Sequence, residues 1–75
     1  MTLETATTST MTARVLRQIN AGSLLVCDCD ACQEVVVHTR QARCFCPGDV
    51  VCIEYSGAMT MSIPPQISAQ RICCA

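Results

Sequence analysis

Apolar residues in this chain alternate with polar ones or fall in short runs. Nowhere do they repeat at the 3.6-residue period of an amphipathic helix, so the pattern predicts strands throughout. Ala13, Val15 and Ile19, interrupted by Arg14, Arg17 and Gln18, predict a first strand from Thr12 with a bulge near Leu16. Asn20-Ala21-Gly22-Ser23 is a turn cluster, and Leu24 to Cys29 completes a hairpin. Asp30-Ala31-Cys32-Gln33 is the next turn, and the β-branched run Val35-Val36-Val37 supplies the third strand. Thr39 to Cys46 reads as an irregular connection with room for one helical turn.

In Pro47-Gly48-Asp49, proline presets φ and glycine accepts a positive one, which marks a turn. Val50 to Tyr55 follows as the fourth strand, with Val51, Ile53 and Tyr55 on one face and Cys52 and Glu54 on the other. Ala58 to Ile63 alternates as a short strand or an ordered loop, and Pro64-Pro65 excludes a central strand because neither residue donates to a ladder. Ile67 to Ile72 is the last strand. Short strands, tight turns and no amphipathic helix predict an all-β fold, a small five-stranded barrel. Residues 1–11 are expected to be a disordered tail, since Thr2 to Thr10 is threonine-rich without an apolar period, and residues 12–75 the barrel domain. Met11 is itself a candidate start of translation.

The order of pieces resembles the OB-fold barrels of the bacterial translation initiation factor one and cold-shock type. The likeness runs through AGSLLV, QEVVVHT, PGDVVCIEY and a closing strand ending in QRI, covering roughly residues 12–72. More closely, LLVCDCDACQEVVVHT and PGDVVCIEYSGAMTMSIPPQISA resemble a family of short bacterial proteins, a likeness that brings no activity with it. The first resemblance implies an OB-like barrel that binds single-stranded nucleic acid or RNA. Two departures stand against that function. Nucleic-acid-binding relatives carry stacking aromatics on the second and third strands, where this chain has cysteine, aspartate and valine. Initiation-factor-like barrels are also rich in basic residues, whereas here the formal charge is −1.

Seventy-five residues make one domain with a modest core, of the size that often needs a metal, a disulfide or an oligomer to hold it. Phe45 and Tyr55 are the only aromatics, so Val, Ile, Leu, Met and Cys must fill the interior. No run approaches the ~18 apolar residues of a membrane span, and residues 1–12 lack the basic start and apolar stretch of a signal peptide. A cytoplasmic monomer with no membrane partner is therefore expected. In that compartment the eight cysteines are thiols or metal ligands rather than four bridges.

Cys29-Asp30-Ala31-Cys32 is a C-x-x-C at a hairpin turn, which lets two thiolates bind one tetrahedral zinc ion. Cys44 and Cys46 offer the second pair of ligands, though their spacing is C-x-C rather than a second C-x-x-C. The plain alternative is that several cysteines replace Val, Ala or Ser. A thioredoxin-like role is disfavoured because no helix follows Cys32 to lower a thiol pKa. His38, the single histidine, reads as a solvated strand-end residue.

Arg14, Arg17, Arg40 and Arg43 are the candidate phosphate contacts on one rim of the barrel, with Tyr55 or Phe45 as the stacking surface. The competing reading pairs these arginines with Glu4, Glu34, Asp49 or Glu54 on a solvated surface. Met59, Met61 and Ile63 either fill the core or form an apolar loop, Met59 to Pro65, that docks a protein partner. Asp28 and Asp30 should be solvated at a hairpin end. No Ser/His/Asp set, glycine-rich phosphate loop or shielded carboxylate pair occurs, so no enzymatic activity is expected. The leading expectation is a non-catalytic OB-like module that binds single-stranded nucleic acid or RNA weakly. The alternatives are a protein-interaction module using the Met59–Pro65 segment and a zinc-stapled cysteine-rich domain.

Overall fold

A computed structural model describes residues 8–56 and 62–75. In chain order it contains β1 (Thr8–Asn20), β2 (Ser23–Asp28), β3 (Gln33–His38), a 3-10 turn (Ala42–Cys44), β4 (Val50–Ser56) and β5 (Gln66–Cys74). The five strands close into a barrel in the order β1-β2-β3-β5-β4, with β4 returning to β1. All contacts are antiparallel except β3 with β5, which run parallel because the chain crosses through β4 before β5 begins. Among the described residues no helix is long and apolar enough to cross a membrane.

The barrel closes through β1, whose thirteen residues serve two neighbours. Thr8 to Arg14 pair with Ser56 to Val50 of β4, while Ala13 to Asn20 pair with Asp28 to Ser23 of β2. The strand thus begins four residues earlier than the pattern from Thr12 predicts. Thr8–Met11, assigned to the tail from sequence, are strand, and Met11 is a buried core residue at 5% exposure. Threonine is a good strand former, but no apolar alternation before Met11 marks this stretch as strand. Residues 1–7 of the expected tail lie outside the described residues.

Alternation explains the interior. Met11, Ala13 and Val15 of β1, Leu24 and Val26 of β2, Val35 and Val37 of β3, Val51 and Ile53 of β4, and Ile67 and Ile72 of β5 all point inward and are buried. Ala42 of the 3-10 turn and Phe45 just after it join the same core. Ile19, the last of the apolar positions that predict this strand, is 39% exposed. By then β1 has passed its register shift between Val15 and Arg17 and runs beyond the body of the barrel beside β2 alone. Ile63, which the pattern offered to the core, is 98% exposed. Met59 and Met61 lie outside the described residues.

Short polar side chains set the turns, as Asx and Ser/Thr motifs do. Asn20 Oδ1 accepts the Gly22 N–H at 2.8 Å, and Asp28 Oδ1 accepts the Asp30 N–H at 2.9 Å. Asp28 is therefore half-buried and structural, not simply solvated as expected. Thr39 Oγ1 accepts the Gln41 N–H ahead of the 3-10 turn. Around Cys46-Pro47-Gly48-Asp49, the Asp49 N–H returns to the Cys46 carbonyl at 3.0 Å and Gly48 takes φ +95°, the pattern of a type II turn. That turn is held against β1, where Gly48 N–H donates to the Val15 carbonyl and Val15 N–H to the Asp49 carbonyl.

Two substitutions test this account. Ile53→Ala removes a fully buried side chain and should cost about 2–5 kcal/mol, measured by urea denaturation; Ile63→Ala should leave the midpoint unchanged. Gly48→Ala meets no atom within 4 Å yet sits at positive φ, so it should cost about 1–2 kcal/mol from backbone strain alone. A thermal scan showing no loss for Gly48→Ala would contradict the turn geometry.

Candidate functional site

The side chains singled out from sequence occupy several separate places on this barrel. Arg14 and Arg17 both lie on the outer face of β1, opposite Cys27 and Leu25 of β2. In an unbroken strand, positions three apart point to opposite faces. The shift at Leu16 reverses the alternation, so both guanidinium groups emerge on one side. Leu16 itself is left 37% exposed.

Arg14 borders a shallow cleft of about 350 Å³ with Leu16, Cys27, Asp28, Cys29 and Cys32. Arg40 borders a different one, of about 330 Å³, formed by Gly22, His38, Thr39 and Ala69 where the β1–β2 turn meets the ends of β3 and β5. A neighbouring depression continues from Thr39 and Arg40 to Gln41 and Gln70. Arg43 is exposed on the 3-10 turn and lines neither cleft. The four arginines therefore do not make the single rim expected from sequence. Nor do they pair with Glu34, Asp49 or Glu54, since among the described residues none of them engages a carboxylate; Glu4 lies outside those residues.

The aromatics are not free platforms. Phe45 is buried at 7% exposure, which removes it as a stacking surface. Tyr55 is half-buried on the inward side of β4, packed against the core with Ala69. The outer surface of β2 and β3 presents Leu25, Cys27, Glu34 and Val36 instead.

His38 is the exposed strand-end residue expected, but its ring is not free. Its Nε2 lies 2.7 Å from Gln66 Oε1 and its Nδ1 3.2 Å from Ser23 Oγ. An amide oxygen accepts only, so Nε2 carries the proton, and in the neutral ring Nδ1 accepts from the Ser23 hydroxyl. One imidazole thereby ties β2, β3 and β5 together on the wall of the Arg40 cleft. The partners escaped sequence reading because Ser23 and Gln66 stand in a turn cluster and after a proline pair, with no motif to connect them.

The candidate zinc ligands do not converge. Cys29 and Cys32 are exposed in the β2–β3 turn, whereas Cys44 lies in the 3-10 turn and Cys46 precedes Pro47. Among the described residues no group of three or more His, Cys, Asp or Glu side chains is placed to hold a metal ion. Cys32 adopts φ +53°, a left-handed conformation that costs a side-chain-bearing residue about 1 kcal/mol. The Cys32 N–H to Asp28 carbonyl bond of 2.8 Å holds it there. Cys27 adds a third thiol to the same cleft, as the inward placement of Leu24 and Val26 requires.

No protein family, curated protein or solved structure matches the chain.

β3 and β5 pair through only three residue pairs, Val36 with Gln66, Val37 with Ile67 and His38 with Ser68. His38→Ala should therefore lower global stability by no more than about 1 kcal/mol, while accelerating amide hydrogen exchange at Ile67 and Ser68. Exchange along the β1–β4 ladder should be unchanged.

Proposed function

We propose that this chain is a non-catalytic, OB-like binding module for single-stranded nucleic acid. The strand order supports the OB-like reading, with β1 shared between β2 and β4 and with β5 inserted between β3 and β4. The observation that carries the ligand class is the pair Arg14 and Arg17, turned to one outer face by the bulge and engaging no carboxylate among the described residues. In OB barrels that outer surface, over the second and third strands and their flanking loops, is where single strands lie. Arg40 extends the positive contacts past the end of β3, beside the β1–β2 turn.

The same surface bounds the affinity. A backbone-tracking groove is normally joined by aromatic platforms, each worth about 1–3 kcal/mol per stacked base, and here Leu25 and Val36 offer only apolar contact. The formal charge of −1 supplies no long-range attraction. Phosphate contacts by a few arginines therefore dominate, giving weak, sequence-tolerant binding. A second reading, docking of a protein through the segment ending at Pro65, has the 98% exposure of Ile63 in its favour.

Fluorescence anisotropy with a labelled oligothymidylate at low salt tests the proposal. Binding should weaken as salt rises, with a slope of about −0.7 per phosphate contact. Arg14→Ala, Arg17→Ala and Arg40→Ala should each reduce that slope by about 0.7, and Arg43→Ala should do so less. A flat titration at low salt removes the nucleic-acid reading and leaves protein docking as the one to pursue.

A further inference from the structure

We propose that Cys52 and Cys73 are an oxidisable pair that closes into a reversible disulfide between β4 and β5 on the outside of the barrel. The inference is independent of any nucleic-acid role, since neither Cys52 nor Cys73 lines the Arg14 cleft or the Arg40 clefts.

The register carries the argument. Cys52 and Cys73 are direct cross-strand partners, flanked by Val51 opposite Cys74 and Ile53 opposite Ile72. Val51, Ile53 and Ile72 are buried, so alternation turns both cysteines outward, and no core side chain has to move for their sulfurs to meet. The Ala75 N–H donates to the Val50 carbonyl at 2.9 Å. This makes Val50 and Ala75 a hydrogen-bonded pair, and two positions along the ladder Cys52 and Cys73 are one too. Such pairs hold their Cα atoms about 5.5 Å apart, inside the range that disulfides span. Cys73 Sγ already sits over its partner, 4.0 Å from the Cys52 carbonyl oxygen.

None of the other strand cysteines among the described residues has this placement. Cys27 stands opposite Arg14 and Glu34, and Cys74 opposite Val51. Cys29 and Cys32 share a turn and are the natural competitor.

The chemistry needs an oxidant, and a glutathione disulfide supplies it. Cys73 is exposed and Cys52 half-buried, so the Cys73 thiolate attacks first, forming a mixed disulfide and releasing one glutathione thiolate. The Cys52 thiolate then attacks the Cys73 sulfur and displaces the second glutathione. Two protein thiols are oxidised, one glutathione disulfide is reduced to two glutathiones, and the two thiol protons pass to solvent or to the released thiolates. Cross-strand Cβ atoms in a hydrogen-bonded pair lie near the wide end of about 4.5–5.5 Å, whereas a disulfide favours about 3.8 Å. The bond must draw the strands together slightly, which makes it easier to reduce.

The test is incubation of the reduced full chain with oxidised glutathione at low protein concentration, followed by alkylation and fragment mass mapping. Cys74→Ser is the background, because cleavage after Arg71 leaves Cys73 and Cys74 on one peptide. A Cys52–Cys73 link that forms without lasting glutathione on either residue, and that excess reduced glutathione reopens, is the expected result. Adding Cys52→Ser should leave a persistent glutathione adduct on Cys73. Independent adducts on Cys52 and Cys73, or oxidation confined to Cys29 and Cys32, would overturn the proposal. Native-like strand signal in circular dichroism before oxidation confirms that each serine variant is read in the folded state.

Discussion

The structure depends on one strand bonding to two neighbours. β1 supplies the ladder for β4 along its first half and for β2 along its second, with Ala13 and Arg14 paired on both sides. Closure removes the unpaired edges that a five-stranded sheet of this size would otherwise expose. It also dictates where the bulge falls. Val15 is the last residue of β1 bonded on the β4 side, through Gly48 and Asp49. Immediately afterwards the register shifts, and Leu16 is the residue left over. The shared outward orientation of Arg14 and Arg17 is a consequence of that closure rather than of any local preference for arginine.

A narrow barrel also explains the composition. The interior receives one residue from every second strand position, so side chains of Val and Ala size fill it, with Leu24 and Ile53 among the largest fully buried. Phe45 adds bulk from the connection after the 3-10 turn and not from a strand. Because the core is small, the turns contribute visibly to order. Asn20, Asp28, Thr39 and Asp49 each accept a backbone N–H close by in the chain. The described residues contain no buried side-chain nitrogen or oxygen without a partner.

The outer face gathers what the core excludes. Thiols, arginines and carboxylates alternate there with small hydroxyl residues, and cross-strand pairing decides which of them meet. Across β1, β4 and β5 the row Thr12, Cys52, Cys73 brings two thiols together, while across β1, β2 and β3 the row Arg14, Cys27, Glu34 separates a cation from a carboxylate by a cysteine. The two rows leave β1 in opposite directions from neighbouring outward positions, Thr12 and Arg14, and give the two sides of that strand different chemistry.

Much of this barrel was legible in the chain. The alternating faces of β4, the apolar positions Ala13 and Val15 of β1, the hairpin at Ala21-Gly22, the positive φ at Gly48 and the bulge at Leu16 follow from period-two patterning and turn chemistry. These are local properties, carried by residues a few positions apart. The buried Ile67 and Ile72 of β5, by contrast, stand five positions apart, a spacing that period-two patterning does not place on one face. The start of β1 was not legible, because Thr8 to Thr10 gain order from β4, more than forty positions away. That Arg14, Arg40 and Arg43 lie apart, and that Cys29 and Cys32 lie apart from Cys44 and Cys46, was not legible either. Residues on different strands come together through register and closure, and beyond the neighbours joined by a tight turn sequence spacing does not say which strand lies beside which. Local residue chemistry determined the elements and the faces of this protein; pairing between distant strands decided that His38 joins Ser23 and Gln66, and that Cys52 meets Cys73.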